Sequence, residues 1–287
     1  MKNNEIRMPD FIIIGAMKSG TTTLHEDLNL HPDIVMSGWK EPGYFVGPDF
    51  GGPSKFPLKA ARRGEYEKIF KNVPNNKICG ESSTHYTKLP SLPNAAENIY
   101  KTLGPNIKLI YVVRDPVKRA ISQYGHEFQH CEIDIPTLSE AVDNHSSMIE
   151  LSQYSKQLKP YFDIFPKENI LIIKFENLVK KRQAYIDEIL KFLGADSAKM
   201  PEIDTQKVRN TAGDRRNWTP WARYLRSSPF FQNHVEPLIP NSAHSILKRG
   251  VTKQPRKIVN GGNLDTIEKR ILNKLSQDDL DIYNSAL

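Results

Sequence analysis

The stretch FIIIGAMKSGTTT, Phe11 to Thr23, decides how this chain folds. Phe11 to Ile14 has the length and β-branched content of a strand buried on both faces. Leu24, Leu28 and Leu30 follow at helical spacing, which predicts a strand over 11–15 and a helix over 20–30. The turn between them is a helix N-terminus, where unpaired backbone N–H groups and the positive end of the helix dipole point outward. Gly15 and Gly20 let an anion approach the main chain closely, Lys18 adds a mobile cation, and Ser19, Thr21, Thr22 and Thr23 add hydroxyl donors. Together these residues predict a corner that grips phosphate.

Working outward, strand–helix alternation repeats. A short extended piece near 34–36 and apolar runs at 77–81, 107–113 and 169–174 read as further strands. Helices are expected over 64–72, 94–103, 116–130, 137–147, 150–165 and 182–193. Such alternation with continuous apolar strands predicts an α/β fold, a central, mainly parallel sheet flanked by helices in three layers. Ligands in these sheets lie beyond the carboxyl ends of the strands, where Lys18, Glu81 and Arg114 all fall. One domain is expected over 1–287, with a core over about 9–194 and a helical, irregular subregion over 195–287.

A nucleotide P-loop needs two glycines separated by four residues, then Lys and Ser or Thr. Gly15 and Gly20 have that spacing, but the lysine lies inside the loop at position 18 and Thr21 stands where it should be. No Asp-terminated apolar strand offers a partner for Mg²⁺, so no metal is expected. Lys18-Ser19-Gly20-Thr21-Thr22 after an apolar strand resembles instead the 5′-phosphosulfate loop of sulfotransferases that use 3′-phosphoadenosine 5′-phosphosulfate (PAPS). Arg114-Asp115-Pro116 at a strand end, with Ser122 on the following helix, resembles a second motif of that family. The resemblance implies that Arg114 and Ser122 hold the 3′-phosphate, a sound pairing of a guanidinium fork and a hydroxyl with a phosphate dianion.

Further landmarks between Pro9 and Leu193 resemble the bacterial and heparan-sulfate-like branch: His31-Pro32-Asp33, Lys40-Glu41-Pro42, Gly80-Glu81-Ser82-Ser83 and Ser122-Gln123-Tyr124. The likeness implies a P-loop-like fold, PAPS as donor, and transfer of a sulfuryl group to a hydroxyl or amine of a small molecule or carbohydrate. It also implies Glu41 as the base, although spacing alone equally allows a surface carboxylate paired with Lys40. His126, one helical turn beyond Ser122 and on the same face, is the second candidate base. Glu81, His85 and Tyr44 are candidate acceptor contacts, and Glu81 is alternatively an ion-pair partner of Lys18. The Gly- and Pro-rich loop from Gly38 to Pro57 is either an acceptor lid or a structural excursion. Lys248-Arg249-Gly250 matches a basic C-terminal loop that the family brings over the 3′-phosphate or adenine.

Composition bounds the alternatives. The 287 residues carry a formal net charge of +7, which favours polyanionic ligands. The basic clusters lack the aromatic interleaving and zinc-ligand spacing of nucleic-acid modules, so no nucleic-acid partner is expected. Two cysteines, Cys79 and Cys131, point to a reducing cytoplasm rather than a disulfide framework. No apolar run is long enough to span a bilayer, and a soluble bacterial enzyme acting on an intracellular acceptor, such as a natural product, is expected. A P-loop kinase using ATP–Mg²⁺ and a non-catalytic polyanion-binding protein are the competing readings.

Overall fold

Alternate residues of a buried strand face opposite ways, so a sheet covered on both sides needs apolar side chains at every position. Strand β1, Phe11–Gly15, meets that requirement, being buried throughout. Ile12 and Ile14 join one core cluster, while Phe11 and Ile13 join another on the opposite face. The computed structural model describes residues 6–53, 60–130, 132–203 and 256–287, together with a short antiparallel strand pair, β6 at Asn217–Trp218 and β7 at Thr252–Lys253.

The main sheet has five strands: β1, β2 (Ile34–Met36), β3 (Ile78–Ser82), β4 (Lys108–Val113) and β5 (Ile170–Lys174). Their order is β2-β3-β1-β4-β5, and every pairing is parallel. From β1 the chain moves towards β2 and β3 on one side, and β4 and β5 then fill the other. The order therefore reverses between β1 and β4, which is where ligands lie in sheets of this kind.

Helices α3 (Ala95–Leu103) and α7 (Tyr154–Ile164) cover the face with Ile12, Leu109 and Tyr111. Helices α1 (Thr21–Leu28) and α9 (Arg182–Leu193) cover the other, through Leu24, Leu28, Ile186 and Leu190. A third cluster joins α4 (Pro116–Gln129), α5 (Leu138–Asn144), α6 (Ser146–Glu150) and α10 (Leu264–Leu272) through Tyr124, Ala141, Met148 and Ile267. The last helix, α11 (Gln277–Ser285), lies against α7, where Asp279 accepts bonds from the Ser155 backbone N–H at 2.9 Å and its hydroxyl at 2.6 Å. Beyond α11, the Leu287 backbone pairs with Ile172 and Lys174 and so covers the open edge of β5.

Three sequence expectations need correction. The helix expected over 64–72 is only α2, Arg63–Tyr66; beyond it the chain continues in tight turns, such as Ile69 N–H to Tyr66 carbonyl and Val73 N–H to Phe70 carbonyl. The span 137–165 holds three helices rather than two, because His145, with φ −126° and ψ 77°, breaks the first. An unexpected helix, α8 (Phe175–Lys180), follows β5 without a loop.

Candidate active site

The corner after β1 is built as its residue types require. Lys18, at φ 69°, and Gly20, at φ 82°, are both left-handed and curl the main chain around Ser19. A Cβ on Gly20 would lie 2.7 Å from the Phe175 ring, so glycine answers both the conformation and the space. Gly20 caps α1 without any side-chain bond, which leaves the first amides of the helix for an anion. Ser19 is fully buried, and its hydroxyl is an orphan with no protein partner. A buried donor without a partner costs free energy unless a ligand takes the bond. Thr21 is buried beside it, and Thr22 and Thr23 are half-buried on the first helical turn.

The second corner leaves β4 at Arg114. Its Nη1 donates to the Lys18 carbonyl at 3.0 Å, its guanidinium lies 5.1 Å over the Phe175 ring, and its backbone is bracketed by the Tyr154 hydroxyl. The two corners therefore touch. Asp115 is the cap of α4, accepting from Lys118 N–H at 2.8 Å, and its own N–H donates to Glu176 at 3.0 Å. Ser122, half-buried, stands farther along α4. Helix α8, absent from the sequence reading, thus supplies Phe175 beneath both corners and Glu176 beside the cap.

Glu41 stands at the same rim. Its left-handed backbone, at φ 60°, is tied down by its N–H to the Ser82 carbonyl at 2.9 Å. One carboxylate oxygen accepts from Lys40 Nζ at 2.7 Å, and the other accepts from the Thr84 N–H at 2.7 Å and hydroxyl at 3.2 Å. His85 Nε2 lies 3.8 Å away. Burial alone pushes the carboxyl up, but the Lys40 ammonium and these donors outweigh it and leave Glu41 below the ordinary carboxylate value. The pairing with Lys40 that spacing allowed is therefore present. Burial, helped by the Lys88 ammonium, lowers His85 to about 4, so this imidazole is neutral near pH 7.

Other candidates lie elsewhere. Glu81 is fully buried and accepts from the Tyr66 and Tyr86 hydroxyls at 2.8 and 3.0 Å, and its second oxygen has no partner. It neither pairs with Lys18 nor reaches a surface where an acceptor could lie. Burial lifts its carboxyl to about 8, against the pull of the two tyrosine bonds. Tyr44 is also in the core, stacked on Tyr66 with centroids 4.3 Å apart, so it is not an acceptor contact. The lid reading of 38–57 fails for Tyr44, Phe45 and Val46, which are buried. His126 is half-buried on α4, its ring 4.2 Å from that of His130, whose Nδ1 is 2.6 Å from the His126 carbonyl. Lys248, Arg249 and Gly250 lie outside the described residues.

One network went beyond the sequence reading, which took Gln123 only as a landmark of the resemblance. Arg119, Gln123 and Glu127 occupy one stripe of α4 at successive i, i+4 spacing. Arg119 is fully buried and donates to Ser152 Oγ at 2.7 Å, Gln123 Oε1 at 2.8 Å, the Met148 carbonyl at 2.6 Å and the Met17 carbonyl at 3.5 Å. Gln123 passes the chain to Glu127 at 2.9 Å, and Glu127 pairs with His145 at 2.5 Å. This network braces the phosphate corner from behind.

The sulfotransferase domain family matches residues 8–233, most of the chain and both corners. The chain belongs to that family. A sulfotransferase from Alicyclobacillus acidocaldarius has a similar solved structure, with TM-score 0.61 and 25% identity, over 91% of this chain and 99% of that one. Among curated relatives, the membrane-associated sulfotransferase kil1 of Dictyostelium discoideum is 36% identical over 122 residues, covering 42% of this chain and 24% of that protein. Mouse heparan sulfate glucosamine 3-O-sulfotransferase 3A1 is 28% identical over 197 residues, covering 66% of this chain and 46% of that protein. This sulfotransferase-family chain thus spans between about a quarter and about half the length of those two relatives. Among the described residues, no helix is long and apolar enough to cross a membrane.

Proposed function

We propose that this protein transfers the sulfuryl group of PAPS directly to a hydroxyl, or an amine, of a small-molecule or carbohydrate acceptor, releasing adenosine 3′,5′-bisphosphate (PAP). The observation that carries the reading is the junction of the two corners, where Arg114 reaches the Lys18 carbonyl beside the orphaned Ser19 hydroxyl. A ligand with phosphate at both ends of an adenosine satisfies both corners at once. PAPS supplies an activated sulfonate on the 5′-phosphate. Ser19, Lys18 and the amides of Thr21, Thr22 and Thr23 hold that phosphate and stabilise the charge it gains on leaving. Arg114 and Ser122 take the 3′-phosphate. Glu41, ionised and held by Thr84, accepts the acceptor's proton, with His126 as the second candidate.

A carbohydrate acceptor is supported by the likeness to enzymes named for heparan sulfate glucosamine. A cytoplasmic setting is supported by the use of only two cysteines in 287 residues. A bacterial setting is supported by the likeness to the Alicyclobacillus protein. Thermal unfolding tests the donor site: PAP raises Tm in a concentration-dependent way and ATP–Mg²⁺ does not. Stabilisation by ATP–Mg²⁺ alone would return the chain to the kinase reading.

A further inference from the structure

A strand that ends just before a helix begins leaves backbone groups that neither element pairs. Arg114 stands at such a point: β4 ends at Val113, and α4 begins its own bonds at the Asp115 carbonyl, which accepts from the Arg119 N–H at 2.8 Å. Both main-chain groups of Arg114 go instead to one side chain. The Tyr154 hydroxyl accepts from the Arg114 N–H at 3.2 Å and donates to the Arg114 carbonyl at 2.6 Å. Tyr154 opens α7 and is fully buried, its ring edge-on to that of Tyr111 with centroids 5.9 Å apart. Burial raises its pKa well above the ordinary tyrosine value, so the hydroxyl keeps its proton and with it the donated bond.

Neighbouring side chains complete the brace. Ser152 Oγ donates to the Pro116 carbonyl at 2.7 Å, and Glu176 accepts from the Asp115 N–H at 3.0 Å. The turn from β4 into α4 is thus held by the start of α7 and by α8. The Arg114 guanidinium bonds to the Lys18 carbonyl at 3.0 Å and lies over the Phe175 ring. A shift of the Arg114 main chain would carry that guanidinium with it, and a small misplacement of a binding group is enough to weaken its hold on a ligand.

We propose that Tyr154 is a positioning residue for the 3′-phosphate subsite: its hydroxyl fixes the main chain of Arg114 and thereby the grip of the guanidinium on that phosphate. The assignment rests on the sulfotransferase reading, in which Arg114 takes the 3′-phosphate. Loss of the hydroxyl is then felt by a nucleotide that carries a 3′-phosphate and not by one that lacks it.

Calorimetric titration with PAP and with adenosine 5′-phosphate, which is PAP without its 3′-phosphate, tests this. Tyr154→Phe keeps the ring and removes both bonds. It is expected to bind PAP about 10-fold more weakly and adenosine 5′-phosphate as wild type does. In an Arg114→Ala background the same substitution should leave PAP affinity nearly unchanged, because the group it positions is gone. Replacing Tyr154 by 4-aminophenylalanine, which keeps a donor for the Arg114 carbonyl, is expected to recover part of the loss. Unchanged PAP affinity in Tyr154→Phe overturns the proposal. Equal weakening of both nucleotides overturns it too, as does the same loss with and without Arg114, since either pattern marks a merely structural role. All three results leave the sulfotransferase reading standing. Should adenosine 5′-phosphate bind too weakly to titrate, the Arg114→Ala comparison decides alone. If Tyr154→Phe does not fold, the 4-aminophenylalanine protein decides by the same comparisons, with an Arg114-dependent loss of PAP affinity supporting the assignment and any other pattern overturning it. A wild-type protein that does not bind PAP overturns the sulfotransferase reading itself, and this assignment with it.

Discussion

Glu41 is a carboxylate placed in a half-buried setting yet kept ionised, because Lys40 and Thr84 counter the effect of burial. A base of this kind works only when deprotonated, so a lowered pKa extends its working range towards acid. Glu41→Gln is expected to lower kcat by about 10²- to 10⁴-fold while PAP binding stays intact, a split that titration and turnover assays together reveal. The acidic limb of wild-type kcat/KM should then lie on the acid side of the ordinary carboxylate value, in the direction of the Glu41 shift. The Lys-Glu pair was visible in the chain as two adjacent letters. The anchoring of its carboxylate was not, since Thr84 comes from a segment far along the chain.

The first helix must keep its N-terminus fixed if it is to hold a phosphate, and α1 is pinned from below by a buried ion pair. Asp27 accepts two bonds from Arg182 of α9, at 2.6 and 2.7 Å, with both side chains almost wholly out of water. Removing one partner strands the other charge, so Asp27→Ala is expected to cost about 3–5 kcal/mol of unfolding free energy, read from urea denaturation. Replacing both residues by leucine should recover most of that loss, since an apolar pair carries no stranded charge. The strands were legible because their apolar runs are continuous, and α1, α3, α4 and α9 because their buried residues recur at helical spacing. Helix α8 was not, because Phe175-Glu176-Asn177 follows β5 with no turn residue to mark the change of period. Helix α2 was overextended because Tyr66 and Phe70, both buried, share a helical spacing although the backbone between them turns more tightly.

At the scale of the whole molecule, the sheet core contains a carboxyl group that stays protonated. Glu81 has a folded-state pKa of about 8, above the ordinary value it regains on unfolding. Between these values the unfolded chain releases the proton and the fold keeps it, so this group lowers stability as pH rises and is neutral in effect below the unfolded value. Urea midpoints of wild type should therefore fall between pH 5 and 8 relative to those of Glu81→Gln, which cannot ionise but can still accept from Tyr66 and Tyr86. Parallel pH profiles for the two proteins would show that Glu81 is already ionised in the fold. A glutamate after a glycine at a strand end looks like a site residue in the bare chain. The fold makes it part of the core, because Tyr44, Tyr66 and Tyr86 close around it.

What the chain carried by itself was local: the period of the apolar runs, and the glycines, hydroxyls and basic residues at the two turns. Helix and strand periods depend on near neighbours, so they survive in one dimension, and with them the parallel α/β fold and its two anion corners. The tertiary structure alone decided which charges meet. Arg114 on the Lys18 carbonyl, Thr84 on Glu41 and Arg119 behind the loop all depend on strand order and on solvent exclusion. Electrostatic effects vary with distance and burial in three dimensions, and neither quantity is written in the order of the residues.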